Sequence, residues 1–201
     1  MKPKSRKSTF YVPPTYSQSS LDRLRSFIHS NPTTIMSLLE DVFSEDPSQM
    51  NDILYDWKLW RRPEQFIESM PEDKKTLMWL CGRGWGKTRN MSSTAIDLAI
   101  HNKRARIALW GESFVTVERN NLSGDSGIIK LIHPSIEYDY NVQKKRIVFM
   151  NGNNGSAGSE IQCYSAEEPE SSRGAEASTL LLDEICAWVK ADESFQAAQA
   201  I

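Results

Sequence analysis

The sequence predicts an α/β fold: a mostly parallel central sheet carrying an inserted β-hairpin, an N-terminal helical appendage, and a glycine-rich loop between the first strand and its helix. Three observations carry this. Short continuous apolar runs, TLMWLC (76–81), RARIALWG (104–111) and STLLLDE (178–184), read as buried strands. The first of them enters the glycine-rich CGRGWGKT and then RNMSSTAIDLAIH, where Met91, Ala95, Leu98 and Ala99 share one helical face. Between the second and third runs, IEYDYNVQKKRIVFM and EIQCYSA alternate like half-exposed strands around the Asn/Gly/Ser-rich NGNNGSAGS, which suggests a hairpin on the edge of the main sheet.

The remaining elements follow in order. Residues 1–19 form a basic, flexible tail; Lys2, Lys4, Arg6 and Lys7 can touch a phosphate backbone, although a solvated terminus is the simpler reading. Residues 20–60 form a helical subdomain. Leu21, Leu24, Phe27 and Ile28, then Ile35, Leu38, Leu39, Val42 and Phe43, recur at helical spacing on either side of Asn31-Pro32, and a short helix runs from Pro47 to about Trp60. Pro63 marks the next boundary, and residues 61–201 form the core, in which STLLLDE is a fully buried strand followed by the helix-like ICAWVKADESFQAAQAI.

Composition excludes more than it nominates. At 201 residues and 39% hydrophobic, the chain is long enough for one sizeable core. A net charge of −2 leaves any nucleic-acid contact to local patches. Cys81, Cys163 and Cys186 are odd in number and form no C-x-x-C pair, and His29, His101 and His133 are scattered, so neither a disulfide framework nor a zinc site is expected. No stretch has the length of a signal peptide core or a membrane span, which predicts a soluble cytoplasmic protein with no membrane partner.

The chemistry centres on CGRGWGKT. Backbone amides of a glycine-rich loop entering a helix point at a polyphosphate, and the helix N-terminus adds a favourable dipole. Gly82, Gly84 and Gly86 allow close backbone approach, Lys87 can reach the β- and γ-phosphates, and the Thr88 hydroxyl can ligate Mg2+. Cys81 stands where the usual motif has its first glycine. Asp183 and Glu184 follow an apolar strand, where ligands gather in open α/β sheets: Asp183 can hold Mg2+ through water and Glu184 can polarise the attacking water. A helix cap is the alternative for this pair, but the upstream loop favours catalysis.

Arg83, inside the loop, can contact the γ-phosphate. Arg173, in PESSRGA, is either an arginine finger reaching a neighbouring subunit or an ordinary surface ion pair with Glu168 or Glu170. In WRRPEQF, Gln65 can read an adenine edge, and an arginine or aromatic nearby, Arg62 among them, can stack on the base. Trp57 and Trp60 read as packing residues. The basic run Lys144, Lys145 and Arg146 is either a DNA grip or a solvated face.

The ordered blocks WKLWRRPEQ, GRGWGKTR, RIALWGES, SAEEPESSRG and LLLDEICAW resemble the ATPase domain of the large terminase subunit of tailed bacteriophages, over about Tyr55 to Trp188. The resemblance implies a P-loop NTPase fold of the additional-strand, catalytic-glutamate type, with Mg2+-dependent ATP hydrolysis driving double-stranded DNA through a portal protein into a procapsid. It matches Gln65 to the adenine motif and Arg83, Gly84, Gly86, Lys87 and Thr88 to a deviant Walker A, so that Trp85 and the adjoining Arg89 join the nucleotide-binding stretch. It matches Asp183 and Glu184 to Walker B, and puts Arg173 where some members place a finger. The implied active form is a homo-oligomeric ring, commonly a pentamer, on the portal vertex in the host cell cytoplasm, with a small terminase subunit choosing the DNA and a monomer for the chain in isolation.

The sequence departs from the family at Cys81, and it stops at Ile201 before the coupling motif and the nuclease domain, which suggests part of a longer protein with no nuclease activity of its own. Two other functions remain open at this level. LDEI also resembles the DExx box of a helicase-like translocase, and the loop alone is compatible with a nucleotide-binding assembly module that does not turn over. A GTPase is disfavoured, since residues 102–105 read NKRA and not N-K-x-D.

Overall fold

The structure is a computed structural model that describes residues 17–44, 47–65 and 76–201. The predicted basic tail therefore lies outside the described residues, apart from its last few positions. The chain divides into two compact units between Asn90 and Met91.

The first unit opens with helices α1 (Gln18–Ser30), α2 (Ile35–Val42), α3 (Pro47–Leu54) and α4 (Trp57–Trp60). Ser17 caps α1, its hydroxyl accepting from Ser20 N at 3.2 Å, and Asp56 caps α4 by accepting from Lys58 N at 2.9 Å. Asn31 leaves the helical region before Pro32, so the break between α1 and α2 falls where the sequence expects it. Ile28, Ile35, Leu39 and Leu59 bury their side chains together, each worth about 1.5–3 kcal/mol of transfer free energy. Arg25 Nε donates to Lys58 O at 2.6 Å and ties α1 to α4.

In the same unit, TLMWLC does not form the predicted strand. Residues 76–82 carry no regular element, and Leu77, Met78 and Leu80 are exposed, Leu80 by 88%. A strand needs a hydrogen-bonded neighbour, and none of the described strands pairs with this run.

Helix α5 (Lys87–His101) starts in the first unit and continues into the second. There it buries Met91, Ala95, Ile96, Ala99 and Ile100, while Leu98, expected on that face, is exposed. Two buried side chains of the turn region, Asn151 Nδ2 and Ser159 Oγ, donate to Ala99 O at 2.8 and 2.7 Å, so NGNNGSAGS serves to close the last turn of α5.

The second unit is built on a five-stranded sheet with β1 (Arg106–Gly111), β2 (Tyr138–Asn141), β3 (Arg146–Phe149), β4 (Glu160–Ser165) and β5 (Thr179–Leu182) in the order β2-β3-β4-β1-β5. β1 runs parallel to β4 and β5, whereas β2–β3 and β3–β4 are antiparallel, so the sheet is mixed and not mostly parallel. An edge hairpin is present, as expected, but it is β2–β3, turning at residues 142–145 and not at NGNNGSAGS. EIQCYSA, read as part of the edge hairpin, is instead the interior strand β4, because its parallel register with β1 covers its second side. Within STLLLDE, expected to be fully buried, β5 is half-buried along its length and Ser178 and Glu184 are exposed, since among the described residues β5 is the opposite edge and pairs on one side alone. Trp110 of β1 packs between Tyr164 and Trp188, with ring centroids 5.1 and 6.2 Å away, and the C-terminal helix Ala191–Gln199 is fixed by Ser194 Oγ donating to Ala166 O at 2.7 Å.

Candidate functional site

The glycine-rich loop turns at residues 83–86 and delivers the chain into α5, whose first residues are Lys87 and Thr88. Gly84 and Gly86 have φ of +79° and +92°, in the left-handed region that a side chain disfavours. Asn90 N donates to Gly86 O at 2.9 Å, continuing the helical ladder back into the loop. The amides of the first helical turn have no intrahelical acceptor and face the loop end of α5, the local setting in which phosphate oxygens bind. Lys87 Nζ donates to Cys81 O and Gly82 O at 3.4 and 3.3 Å, so its ammonium rests on the loop's own carbonyls. Arg83 is exposed and Thr88 is half-buried.

Gln65 and Arg62, read from the sequence as contacts to a base, bond instead to the backbone of this loop. Gln65 is buried, accepts from Arg62 N at 2.8 Å through Oε1, and donates to Trp85 O through Nε2. Arg62 Nη2 donates to Trp85 O at 2.7 Å and to Gly84 O at 3.4 Å. A Cβ on Gly86 would lie 2.6 Å from Gln65 Nε2, so the glycine is required here for close approach as well as for its φ. Arg89 stacks on Trp57, 5.2 Å from the ring centroid, and burial lowers its guanidinium pKa. Trp57 Nε1 donates to Asn90 Oδ1 at 2.8 Å. Trp57 is thus the packing residue the sequence suggested, placed to hold the start of α5.

In the second unit, Asp183 and Glu184 follow β5 directly. Asp183 N donates to Trp110 O at 2.9 Å and Asp183 O accepts from Trp188 Nε1 at 3.0 Å, which fixes the aspartate's backbone to the core. Its carboxylate accepts from Asn121 Nδ2 at 2.9 Å. Glu184 is exposed and sits at φ +48°, ψ +49°, left-handed backbone that is uncommon for a residue with a Cβ. A local 3-10 turn follows, Ala187 N donating to Glu184 O at 2.8 Å. Among the described residues no group of three or more His, Cys, Asp or Glu forms a metal cluster. The donors that the sequence nominated, a threonine hydroxyl and a carboxylate, are hard oxygens, the kind that suits Mg2+ sharing its shell with phosphate and water.

Asn121 was not anticipated. It sits on a π-helical segment, Val117–Leu122, where Ser123 N donates to Glu118 O. The signal available in the sequence was an interrupted helical pattern around NNLSGDSG; the contact with residue 183 is tertiary.

The other sequence candidates lie in the second unit. Arg173 forms an ion pair with Glu170, both side chains largely exposed, which is one of the two arrangements foreseen for it. In the basic run, Lys145 pairs with Glu118 at 3.2 Å and Arg146 with Glu160 at 3.7 Å, leaving Lys144 as the exposed member. A cavity of about 310 Å³ next to this run, bounded by Phe114, Lys144, Gln162 and Tyr164, contains none of the catalytic or nucleotide-binding candidates.

A family model described as terminase large subunit, T4likevirus-type, N-terminal, matches residues 78–201, more than half of the chain. Among solved structures, the ATPase domain of a Thermus phage large terminase is similar at 18% identity with a TM-score of 0.46, over 59% of this chain and 53% of that one. The chain therefore spans about half the length of that solved domain. No curated protein matches. By the family match, the chain belongs to the large terminase subunits of the T4-like virus type, in their N-terminal region.

Proposed function

We propose that the chain is the ATP-hydrolysing part of a DNA-packaging motor. The observation that carries this is local: a loop with two left-handed glycines opens onto the N-terminus of the 15-residue α5, with Lys87 and Thr88 in its first turn and Gln65 and Arg62 bonded to its backbone. Family membership supports extending it from phosphate binding to packaging.

In this reading the amides of Gly82 to Lys87 donate to the phosphates of ATP, and Lys87 exchanges the carbonyls of Cys81 and Gly82 for phosphate oxygens. Thr88 and Asp183 would each offer an oxygen to Mg2+, which would supply neutralisation of phosphate charge when bound. Glu184 takes a proton from the attacking water, and Arg83 or Arg173 faces the γ-phosphate, the latter from a neighbouring copy in a ring. The adenine side falls to Gln65 and Arg62. The substrate moved is double-stranded DNA, and the partners are a portal protein and a small terminase subunit in the cytoplasm of the host cell.

The test is phosphate release by the chain with and without DNA and portal, alongside Lys87→Ala and Glu184→Gln. Lys87→Ala is expected to lose nucleotide binding, and Glu184→Gln to keep binding while losing turnover by 10²-fold or more, about the scale of a general base. ATP binding with no turnover under any of these conditions would instead support a nucleotide-binding assembly module.

A further inference from the structure

We infer that Asn121 is a positioning residue for Asp183, and that it sets the affinity of the site for its divalent cation; this rests on the proposed function. Asn121 is 1% exposed, and its Nδ2 donates to Asp183 Oδ2 at 2.9 Å. Its Oδ1 is buried with no hydrogen-bond partner among the described residues. An amide buried with half its polar capacity unused is a poor choice for packing, where leucine would fill similar space without an unmatched carbonyl. What leucine cannot supply is the hydrogen bond to the carboxylate.

The backbone is arranged to deliver that donor. The i→i+5 register of Val117–Leu122, closed by Ser123 N on Glu118 O at 2.9 Å, inserts an extra residue into the turn, a distortion often found at functional sites. The segment packs onto the end of β1 at Gly111, where a Cβ would lie 2.6 Å from Val117 Cγ2 and 3.9 Å from Asn121 Oδ1. Gly111 thus admits the π-helical turn, and the turn holds Asn121 against Asp183, the residue that follows β5. Asp183 N is tied to Trp110 O and Asp183 O to Trp188 Nε1, and the bond from Asn121 adds a hold on the carboxylate itself. A carboxylate held in one plane before a cation arrives gives up less rotamer freedom on binding it, which is how outer partners of metal ligands raise affinity.

The experiment titrates Mg2+ into the full chain with a fluorescent ATP analogue, and Mn2+ by electron paramagnetic resonance in the same mixture, for wild type, Asn121→Leu, Asp183→Asn and the double variant. Asn121→Leu is expected to weaken cation affinity at least tenfold, with analogue affinity in EDTA and the thermal midpoint unchanged. In the Asp183→Asn background the same substitution is expected to add less than twofold. Asn121→Ser, which keeps a shorter donor, is run in parallel so that a folding defect in the leucine variant leaves a measurement; it is expected to fall between leucine and wild type.

Wild-type cation affinity in whichever of the two variants folds would overturn the inference, as would an undiminished loss in the Asp183→Asn background. A wild-type chain that binds the analogue without any dependence on cation would overturn the proposed function and this inference together, so the two failures are distinguishable.

Discussion

Gln65 holds the carbonyl of Trp85 from outside the phosphate loop, its amide donating to Trp85 O while its own carbonyl accepts from Arg62 N. One donor hydrogen and one lone pair of this side chain are therefore engaged with protein, so its first demonstrable task is to fix the loop. Each such bond is worth about 0.5–1.5 kcal/mol net. Gln65→Ala should speed hydrogen exchange of the Gly84 to Lys87 amides by about tenfold, which corresponds to roughly 1.4 kcal/mol. Unchanged protection would show that the loop holds itself.

Gly86 supplies the reciprocal test. With φ at +92° and only 2.6 Å between Gln65 Nε2 and the point a Cβ would occupy, Gly86→Ala combines backbone strain with a clash. The strain alone costs about 1–3 kcal/mol. Denaturant melts of Gly86→Ala in the Gln65→Ala background should recover the steric part and keep the backbone part. Full additivity of the two substitutions would refute the contact.

Glu184 carries its carboxylate on left-handed backbone, at φ +48°. The conformation costs a residue with a Cβ about 1 kcal/mol that glycine avoids. Glu184→Gly should therefore raise the thermal midpoint by about 2–4 °C for a chain of this length, while Glu184→Ala, which keeps the Cβ, should not. Both should abolish ATP turnover. An alanine variant as stabilised as the glycine variant would place the gain in the lost carboxylate and not in the backbone.

These sites show which parts of the molecule local sequence determines. RIALWG and EIQCYSA were legible as strands because alternation acts within a few residues, whereas the hairpin turn at 142–145 was hidden by the stronger Asn/Gly/Ser signal at 151–159. TLMWLC reads equally apolar whether or not a neighbour pairs with it, and Leu80 is exposed by 88% because pairing is a long-range event. The edge position of β5 was hidden for the same reason. Among the candidate residues, the loop glycines and the Asp183–Glu184 pair stand out by spacing, whereas the bond from Gln65 to the loop backbone, 20 positions on, is tertiary. Asn121 was not legible, since nothing adjacent to it marks an amide that meets a carboxylate 62 positions later.

Arg173 and Glu170 form an ion pair with side chains 80% and 68% exposed, so solvent screens it. Glu170→Ala should change stability by less than about 0.5 kcal/mol. If Arg173 acts on a neighbouring copy, freeing it should raise ATP turnover per chain, and turnover should climb with protein concentration. Arg173→Ala should remove that climb. Turnover proportional to protein concentration, in wild type and Arg173→Ala alike, would leave Arg83 as the arginine of the site.

Cys163, buried in β4, gives the second unit a pH dependence with a definite sign. Burial pushes its thiol pKa up, the Glu118 carboxylate pushes the same way, and Lys145 opposes them weakly. The unfolded thiol ionises near about 8.5, and the folded one well above it. The stability this contributes is fully present below the unfolded value and is lost as pH rises toward the folded value, because the unfolded chain then releases a proton that the native chain keeps. Between about pH 9 and 10 the loss should approach about 1.4 kcal/mol per pH unit for this one group. Tyr140, whose hydroxyl donates to Glu118 and is raised by burial and by that bond, adds a loss of the same sign only above its own unfolded value near about 10. Urea midpoints measured under reductant at pH 7, 9 and 10 should therefore fall for wild type and for Tyr140→Phe, and stay nearly level for Cys163→Ala. An equal fall in Cys163→Ala would assign the effect to other groups and remove the thiol from the account.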